Sequence, residues 1–347
     1  MRECIELARN GEGNVSPNPL VGCVVLNSDN KIISTGFHKK YGEHHAERDA
    51  LLKLGEDDAR GGTLIVNLEP CSHFGKTPPC ADLIIERGLK TVVIGMKDPN
   101  PIVCGRGIER LKRAGIEVVE GVLADDCLGL NEVFVKDMSE RKIFVAIKTA
   151  TTLDGKIATY TGSSKWITSA GARGEVLKIR NRYDCILTSS STVIADNPTM
   201  KHKCKIVLDR TLKTDFENSN IYKEGQIFVF HDENLLPPSK DIQNLNFVPC
   251  RLENNRLDLK YVFDKLYSIG LKSVLIEAGG TLNGSALKFA DKIYHFFAPK
   301  ILGDNSGKSC YDFRRVKNIS ESENFRILSV KNFEPDIMLE LVKSCVI

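Results

Sequence analysis

The residues best suited to chemistry fall in two short stretches. His45 and Glu47 stand two positions apart in "HHAERDAL" (44–51), and Cys71 and Cys80 bracket most of "PCSHFGKTPPC" (70–80). One imidazole and two thiolates make a three-ligand zinc site, one Zn2+ per chain, with the fourth tetrahedral position left for water. That is the catalytic arrangement, because structural zinc normally takes four protein ligands. Zinc brings the pKa of its water from ~15.7 to about 7, on the order of 12 kcal/mol in the ionisation equilibrium. Glu47 would not ligate; it would take the water proton and pass it to a departing amine, the general acid/base role. The bland reading is that His45 caps a helix, Glu47 is a solvated first-turn carboxylate, and the cysteines are core or redox residues.

These residues need elements to position them. The apolar spacing of "HHAERDALLKL" predicts a helix with His45 and Glu47 in its first turn. Cys71 directly follows the strand-like "TLIVNLE", and Cys80 heads the helical "CADLIIERG". Both ligand sources thus lie where strands end and helices begin, the customary ligand edge of an α/β sheet, and helix N-termini favour thiolates. "LVGCVVL", "KTVVIGM", "RGIERLKRAG" and "IEVVEGVL" continue the alternation, which predicts an α/β layered domain. The pattern gives way to charge at "KDMSERK" (136–142), so the boundary is placed between 1–140 and 141–347. A second α/β series follows, from "IFVAIKTA" to "DKIYHFFAPKI". The polar stretch 213–258 reads as peripheral loops around one strand, and no repeat of solenoid period occurs.

The 347 residues allow about two domains. A content of 42% hydrophobic and 27% charged residues, with no apolar run of bilayer length, argues against a membrane protein. The net charge of +3, without a basic stripe interleaved with aromatics, gives no sign of a nucleic-acid partner. Eleven scattered cysteines fit a reducing cytoplasm better than a disulfide scaffold. "MRECIELARNGEG" lacks a secretory h-region and reads as a short helix that further leading residues could precede.

H-x-E followed by P-C and a second Cys is the signature of zinc nucleobase deaminases. Most of these separate the cysteines by two residues, whereas eight intervene here. With this loop, and with "SPNPLVGCVVL", "DPNPIVCGRGIERLKRAGI", "TLDGKIA", "SSKWITS", "TVIADNP" and "EAGGTLNGSAL" in order, nearly the full chain resembles the bifunctional riboflavin-biosynthesis deaminase/reductase family. The resemblance implies a cytidine-deaminase-like three-layer domain followed by a dihydrofolate-reductase-like domain. The first would hydrolyse the 2-amino group of 2,5-diamino-6-ribosylamino-4(3H)-pyrimidinone 5′-phosphate. The second would use NADPH to reduce ribosyl to ribityl. It also implies a homo-oligomer formed through the reductase domain. Matching positions put Asn18 at the base and His38, His73, Lys76 and Thr77 near the ribose phosphate; a histidine and a lysine suit a phosphate chemically.

No G-x-G-x-x-G fingerprint follows a strand in either half. By resemblance the cofactor turn is instead "EAGGTLNGS", where Gly279 and Gly280 lack a Cβ that would obstruct a phosphate. The same likeness puts Ala150, Trp166, Thr192, Asp196, Thr281, Leu282, Asn283, Gly284 and Ser285 on the cofactor, and Ser164, Arg180, Met200, Arg210 and Glu277 on the substrate. Lys148 and Glu277 are the charged groups expected to shape proton delivery to the opened sugar. After "DNPT" the family has a leucine and then an arginine, but this chain runs "MKHKCK". Lys203 would replace that arginine as a phosphate contact, a point charge in place of a bidentate fork.

Three rivals remain at this point: a single-activity deaminase with a degenerate second half, a polynucleotide deaminase, and a structural zinc module. The last would require a fourth ligand such as His73 or His44.

Overall fold

The computed structural model describes residues 1–73, 78–101, 103–238, 244–312 and 316–344. They form two compact units, Met1–Arg141 and Lys142–Ile347.

In the first unit, strands β1 (Gly22–Leu26), β2 (Ile32–Phe37), β3 (Thr63–Leu68), β4 (Thr91–Met96) and β5 (Glu117–Val119) make one sheet, ordered β2-β1-β3-β4-β5. β1 runs antiparallel to β2 and β3, while β3, β4 and β5 are mutually parallel. The helices are α1 (Arg2–Arg9), α2 (Ala46–Leu51), α3 (Cys80–Glu86), α4 (Arg106–Arg113), α5 (Ala124–Leu130) and α6 (Glu132–Glu140). Bare glycines let two of them approach the sheet: a Cβ on Gly22 would strike the Cys4 carbonyl of α1, and one on Gly36 the Ala46 carbonyl of α2. Gly36 pairs with Cys23, the neighbour of Gly22. Successive residues point to opposite faces of a strand, so α1 and α2 cover opposite faces and the unit has three layers. Its core includes Leu64, Val66, Val92, Ile94, Leu51 and Ile84. The antiparallel β1 brings the chain before its start to the same edge as the ends of β2, β3 and β4. Asn18, His38 and Cys71 therefore share one rim.

In the second unit, the main strands are β6 (Phe144–Thr152), β8 (Cys185–Ser189), β9 (Cys204–Leu208), β10 (Gln226–Asp232), β11 (Leu245–Cys250), β14 (Ser273–Ile276), β15 (Lys292–Ala298), β17 (Phe325–Phe333) and β18 (Asp336–Lys343). They form a nine-stranded sheet in the order β11-β10-β9-β8-β14-β6-β15-β18-β17. The stretch from β11 to β15 is parallel, and β18 is antiparallel to its neighbours β15 and β17. Two small ladders join β7 (Lys156–Ala158) to β16 (Lys308–Ser309) and β12 (Leu252–Glu253) to β13 (Arg256–Leu257). Helices α7 (Ala170–Asn181), α8 (Ser190–Asp196), α9 (Leu259–Ser268) and α10 (Gly280–Ala286) connect them. Parallel strands buried on both faces read as continuous apolar runs, as "CILTS" and "SVLI" do.

The 213–258 segment departs from expectation. It carries β10, β11 and the β12–β13 hairpin, and β11 "LNFVPC" escapes notice because Asn246 and Pro249 interrupt its apolar pattern; Pro249 is tolerated because β11 is an edge strand. Among the described residues no helix is long and apolar enough to cross a membrane.

Candidate functional site

His45 is the N-cap of α2 with an extended backbone, and Glu47 follows in its first turn. Cys71 lies just past β3, and Cys80 opens α3. His45 Nδ1 is 3.5 Å from Cys71 Sγ and 3.5 Å from Cys80 Sγ, and the three donor atoms lie within 4.8 Å of one another. Tetrahedral zinc, with Zn–N of ~2.0–2.1 Å and Zn–S of ~2.3 Å, requires an N···S separation of about 3.6 Å. The cradle thus has the dimensions of that ion. Neither His44 nor His73 belongs to the cluster among the described residues, and both are exposed.

The two thiols ionise unequally. The Cys71 thiol is driven down, first by hydrogen bonding from Cys80 and then by His45. Cys80 is driven up by its bond to Cys71 and by burial. Burial pushes the Glu47 carboxyl up to about 7, against the opposing charge of His45. At 3% exposure it is a desolvated acid beside the donors, suited to holding and releasing a proton.

His38 is buried, and burial lowers its pKa. Its Nδ1 lies 2.9 Å from the His44 carbonyl, which can only accept, so Nδ1 carries the proton. Nε2 then accepts from Asn18 Nδ2 at 3.1 Å. His38 is therefore a neutral tether that orients Asn18 at this rim. The loop carrying Asn18 is fixed further along at Leu20: its N–H donates to Asn131 Oδ1 at 2.8 Å, and its carbonyl accepts from Asn67 at 2.9 Å and Asn131 at 3.0 Å. His73 is exposed in the loop after Cys71; Lys76 and Thr77 lie outside the described residues.

In the second unit a cavity of about 1810 Å³ opens along the carboxyl edge of the sheet. Of the expected residues, Lys148, Ala150, Ser164, Thr192, Asp196, Met200, Arg210, Glu277, Gly279, Gly280, Thr281, Leu282, Gly284 and Ser285 line it. Arg180 lies behind the wall and forks onto Glu277, with Nε to Oε1 at 2.6 Å and Nη2 to Oε2 at 3.0 Å. Lys148 Nζ stands 3.9 Å from the same carboxylate. Burial would raise the Glu277 carboxyl, but the Arg180 bonds and the two cationic charges outweigh it and hold the group down. Lys148 is lowered by burial, with Glu277 opposing.

Besides Arg180, three expected residues do not line the cavity. Lys203 is exposed and immediately precedes β9, at the amino end of that strand, whereas the cavity lies at the carboxyl end. Five residues at ~3.3 Å each put about 16 Å between the two ends. Trp166 is 65% exposed, with the Arg173 guanidinium 4.4 Å from its ring centre. Asn283 is buried and donates to the Ala278 and Cys310 carbonyls, bracing the turn from within. The glycines also divide by role. A Cβ on Gly280 would meet the Ser309 carbonyl and one on Gly284 the Asp312 carbonyl, so packing demands both; a Cβ on Gly279 would meet nothing within 4 Å, which leaves its backbone bare toward the cavity. The cavity also takes in Lys213, Arg256 and Lys308. Sequence reasoning passed over these, although "LDRTLK" after a strand was a signal for the first.

Residues 1–96 match the family model for the cytidine and deoxycytidylate deaminase zinc-binding region, and residues 143–339 match the RibD C-terminal domain. Riboflavin biosynthesis protein RibD of Actinobacillus pleuropneumoniae is 39% identical, over 99% of this chain and 94% of its own length. The Escherichia coli (strain K12) protein of the same name is 34% identical, over 99% and 98%. The crystal structure of a diaminohydroxyphosphoribosylaminopyrimidine deaminase/5-amino-6-(5-phosphoribosylamino)uracil reductase from Thermotoga maritima matches with a TM-score of 0.88 at 37% identity, over 99% of this chain and 97% of that one. With a zinc-sized cradle at one sheet edge and a dinucleotide-sized cavity at another, the chain belongs to the RibD family of riboflavin-biosynthesis enzymes, a zinc-dependent deaminase domain followed by a reductase domain.

Proposed function

We propose that the first unit deaminates 2,5-diamino-6-ribosylamino-4(3H)-pyrimidinone 5′-phosphate and that the second reduces the product's ribosyl group to ribityl with NADPH. The observation that carries the first step is the pair of 3.5 Å contacts from His45 to the two cysteines beside the buried Glu47. His45, Cys71 and Cys80 would hold zinc, which supplies Lewis acidity when bound. Glu47 moves the proton from water to the leaving amine. Asn18, held by His38, presents its amide to the base; His73, Lys76 and Thr77 remain assigned to the ribose phosphate by family likeness.

In the second unit NADPH supplies hydride when bound, and the protein's part is positioning. Ala150, Thr192, Asp196 and the 279–285 turn form the cofactor wall, and Gly279 leaves a backbone free for close approach. Ser164, Met200 and Glu277 form the substrate wall, where Arg180 fixes Glu277. Lys148, lowered by burial, stands ready to exchange a proton with the opened sugar. The cavity is larger than the ~300–1,000 Å³ of a usual one-ligand pocket, as cofactor plus substrate would need.

The partners are then small phosphoribosyl pyrimidines, with neither nucleic acid nor membrane, in the cytoplasm. Self-association through the reductase unit is supported by the edge strand β17, which exposes Ile327, Leu328 and Val330. The deciding experiment compares wild type with Glu47→Ala for metal content and ammonia release. Zinc retained with deamination abolished is the expected result; loss of the metal as well would make Glu47 a structural residue.

A further inference from the structure

We propose that Lys205 is a positioning residue for the reduction: its buried ammonium clasps the main chain beside Met200 and so fixes that side chain in the wall of the cavity. The proposal rests on the reductase reading above, in which Met200 belongs to the substrate wall.

Lys205 is the second residue of β9, an interior strand of the nine-stranded sheet. It stands beside Ile186 of β8 on one side and Ile227 of β10 on the other, and only 2% of it is exposed. The layer around it is apolar, with Val193, Met200, Val207, Ile221 and Val229 in one cluster. A lysine is almost never buried without a partner, because an ammonium taken out of water is costly. Among the described residues no carboxylate stands within ion-pair distance of it. Its Nζ donates instead to the Ile221 carbonyl at 2.5 Å and, more weakly, to the Thr199 carbonyl at 3.5 Å. An apolar side chain would fill this place at no such cost, so packing alone does not account for the lysine.

The segments that own these carbonyls give the lysine its use. Thr199 lies in the link from α8 to β9, and Ile221 lies in the 3-10 turn Asn220–Tyr222 that precedes β10. A second clasp joins the same two segments: the Asn220 N–H donates to Asn197 Oδ1 at 2.8 Å, and Asn220 Nδ2 donates to the Asn197 carbonyl at 3.1 Å. Met200, the next residue after Thr199, has a φ of 40°. That is the left-handed region, which a residue with a side chain keeps only where its surroundings enforce it. Met200 packs with Val193 of α8 and also lines the cavity. Released from Lys205, the link would relax to an ordinary backbone and carry the Met200 side chain off the wall.

The test is steady-state kinetics of the full-length protein, with reductase KM and kcat for the phosphoribosyl substrate read beside NADP+ affinity and deaminase turnover. The variants are Lys205→Met, Met200→Gly and the double variant. Methionine matches the apolar stem of the lysine without its ammonium; glycine removes the side chain that is held and takes the left-handed backbone freely. Lys205→Met should raise the substrate KM about tenfold, the worth of one charge-assisted hydrogen bond. Its kcat, NADP+ affinity and deaminase turnover should not change. In the Met200→Gly background the same substitution should have no further effect on KM, because nothing is left to position. Additive effects would make Lys205 a structural residue and overturn the proposal, as would an unchanged KM or an equal weakening of NADP+. Asn220→Ala cuts the second clasp and should raise KM about threefold. It decides the matter if Lys205→Met does not fold, since an unchanged KM there overturns the proposal as well. Wild type that oxidises no NADPH with deaminated substrate would remove the reductase reading itself, a result distinct from the others.

Discussion

Protonation of His295 should be a measurable cost to the second unit in acid. The ring lies on β15, stacked on Phe297 with centroids 3.9 Å apart, and its Nε2 is 3.0 Å from Thr151 Oγ1. Burial pushes its pKa down from 6.5 to about 4. Between those values the unfolded chain binds a proton that the native one does not, so stability rises with pH in that window. The contribution is fully present above 6.5 and is lost progressively as pH falls toward 4. At ~1.36 kcal/mol per tenfold step in proton affinity, the fall amounts to about 3 kcal/mol, a sizeable share of a domain's ~5–15 kcal/mol. His295→Gln keeps a side-chain acceptor for the Thr151 hydroxyl but cannot titrate. Urea unfolding would be followed by emission from Trp166, the one tryptophan of the chain, which reports the same unit. Between about pH 7 and about pH 4 wild type should lose about 3 kcal/mol more than the variant, carboxylate effects common to both cancelling. Parallel losses would refute the reasoning and mean that the imidazole is solvated.

Arg180→Met should lower the stability of the second unit by about 3–5 kcal/mol, because it strips the fork from a buried carboxylate; the same unfolding assay checks it, and deaminase turnover should not change. Lys203→Ala should leave the reductase KM for substrate unchanged, whereas steady-state kinetics with a raised KM would return that lysine to the site. Gly284→Ala, whose Cβ enters the Asp312 carbonyl, should cost about 1–3 kcal/mol and loosen the 279–285 turn, seen as a lower melting temperature together with weaker NADP+ binding.

The deaminase ligands were legible because chemistry constrains them locally: H-x-E, P-C and a second cysteine each mark a strand end or helix start, and the fold had only to bring one edge together. The parallel strands were legible for a similar reason, since burial on both faces writes a continuous apolar run. β2, β17 and β18 were not, because strands with one solvated face carry threonine, serine, lysine and glutamate that read as loop. The Arg180–Glu277 fork joins residues far apart in the chain, and no local pattern announces such a pair. His38 shows the limit from another side. Its residue type fits a phosphate contact, but which atoms its ring nitrogens meet depends on a carbonyl and an amide brought up by tertiary structure. For Lys203 the residue type is legible but its place is not, because which rim it stands on depends on the strand β9 that follows it.

The glycines at 280 and 284 have a kinetic consequence. Because each lies flush against a neighbouring main chain, at Ser309 and Asp312, the turn they frame has almost no room to breathe. An incoming nucleotide meets a mould that is already set, and little of its contact energy goes into freezing a wandering loop. Capture should therefore proceed in a single fast phase, with release rather than rearrangement setting the pace of exchange.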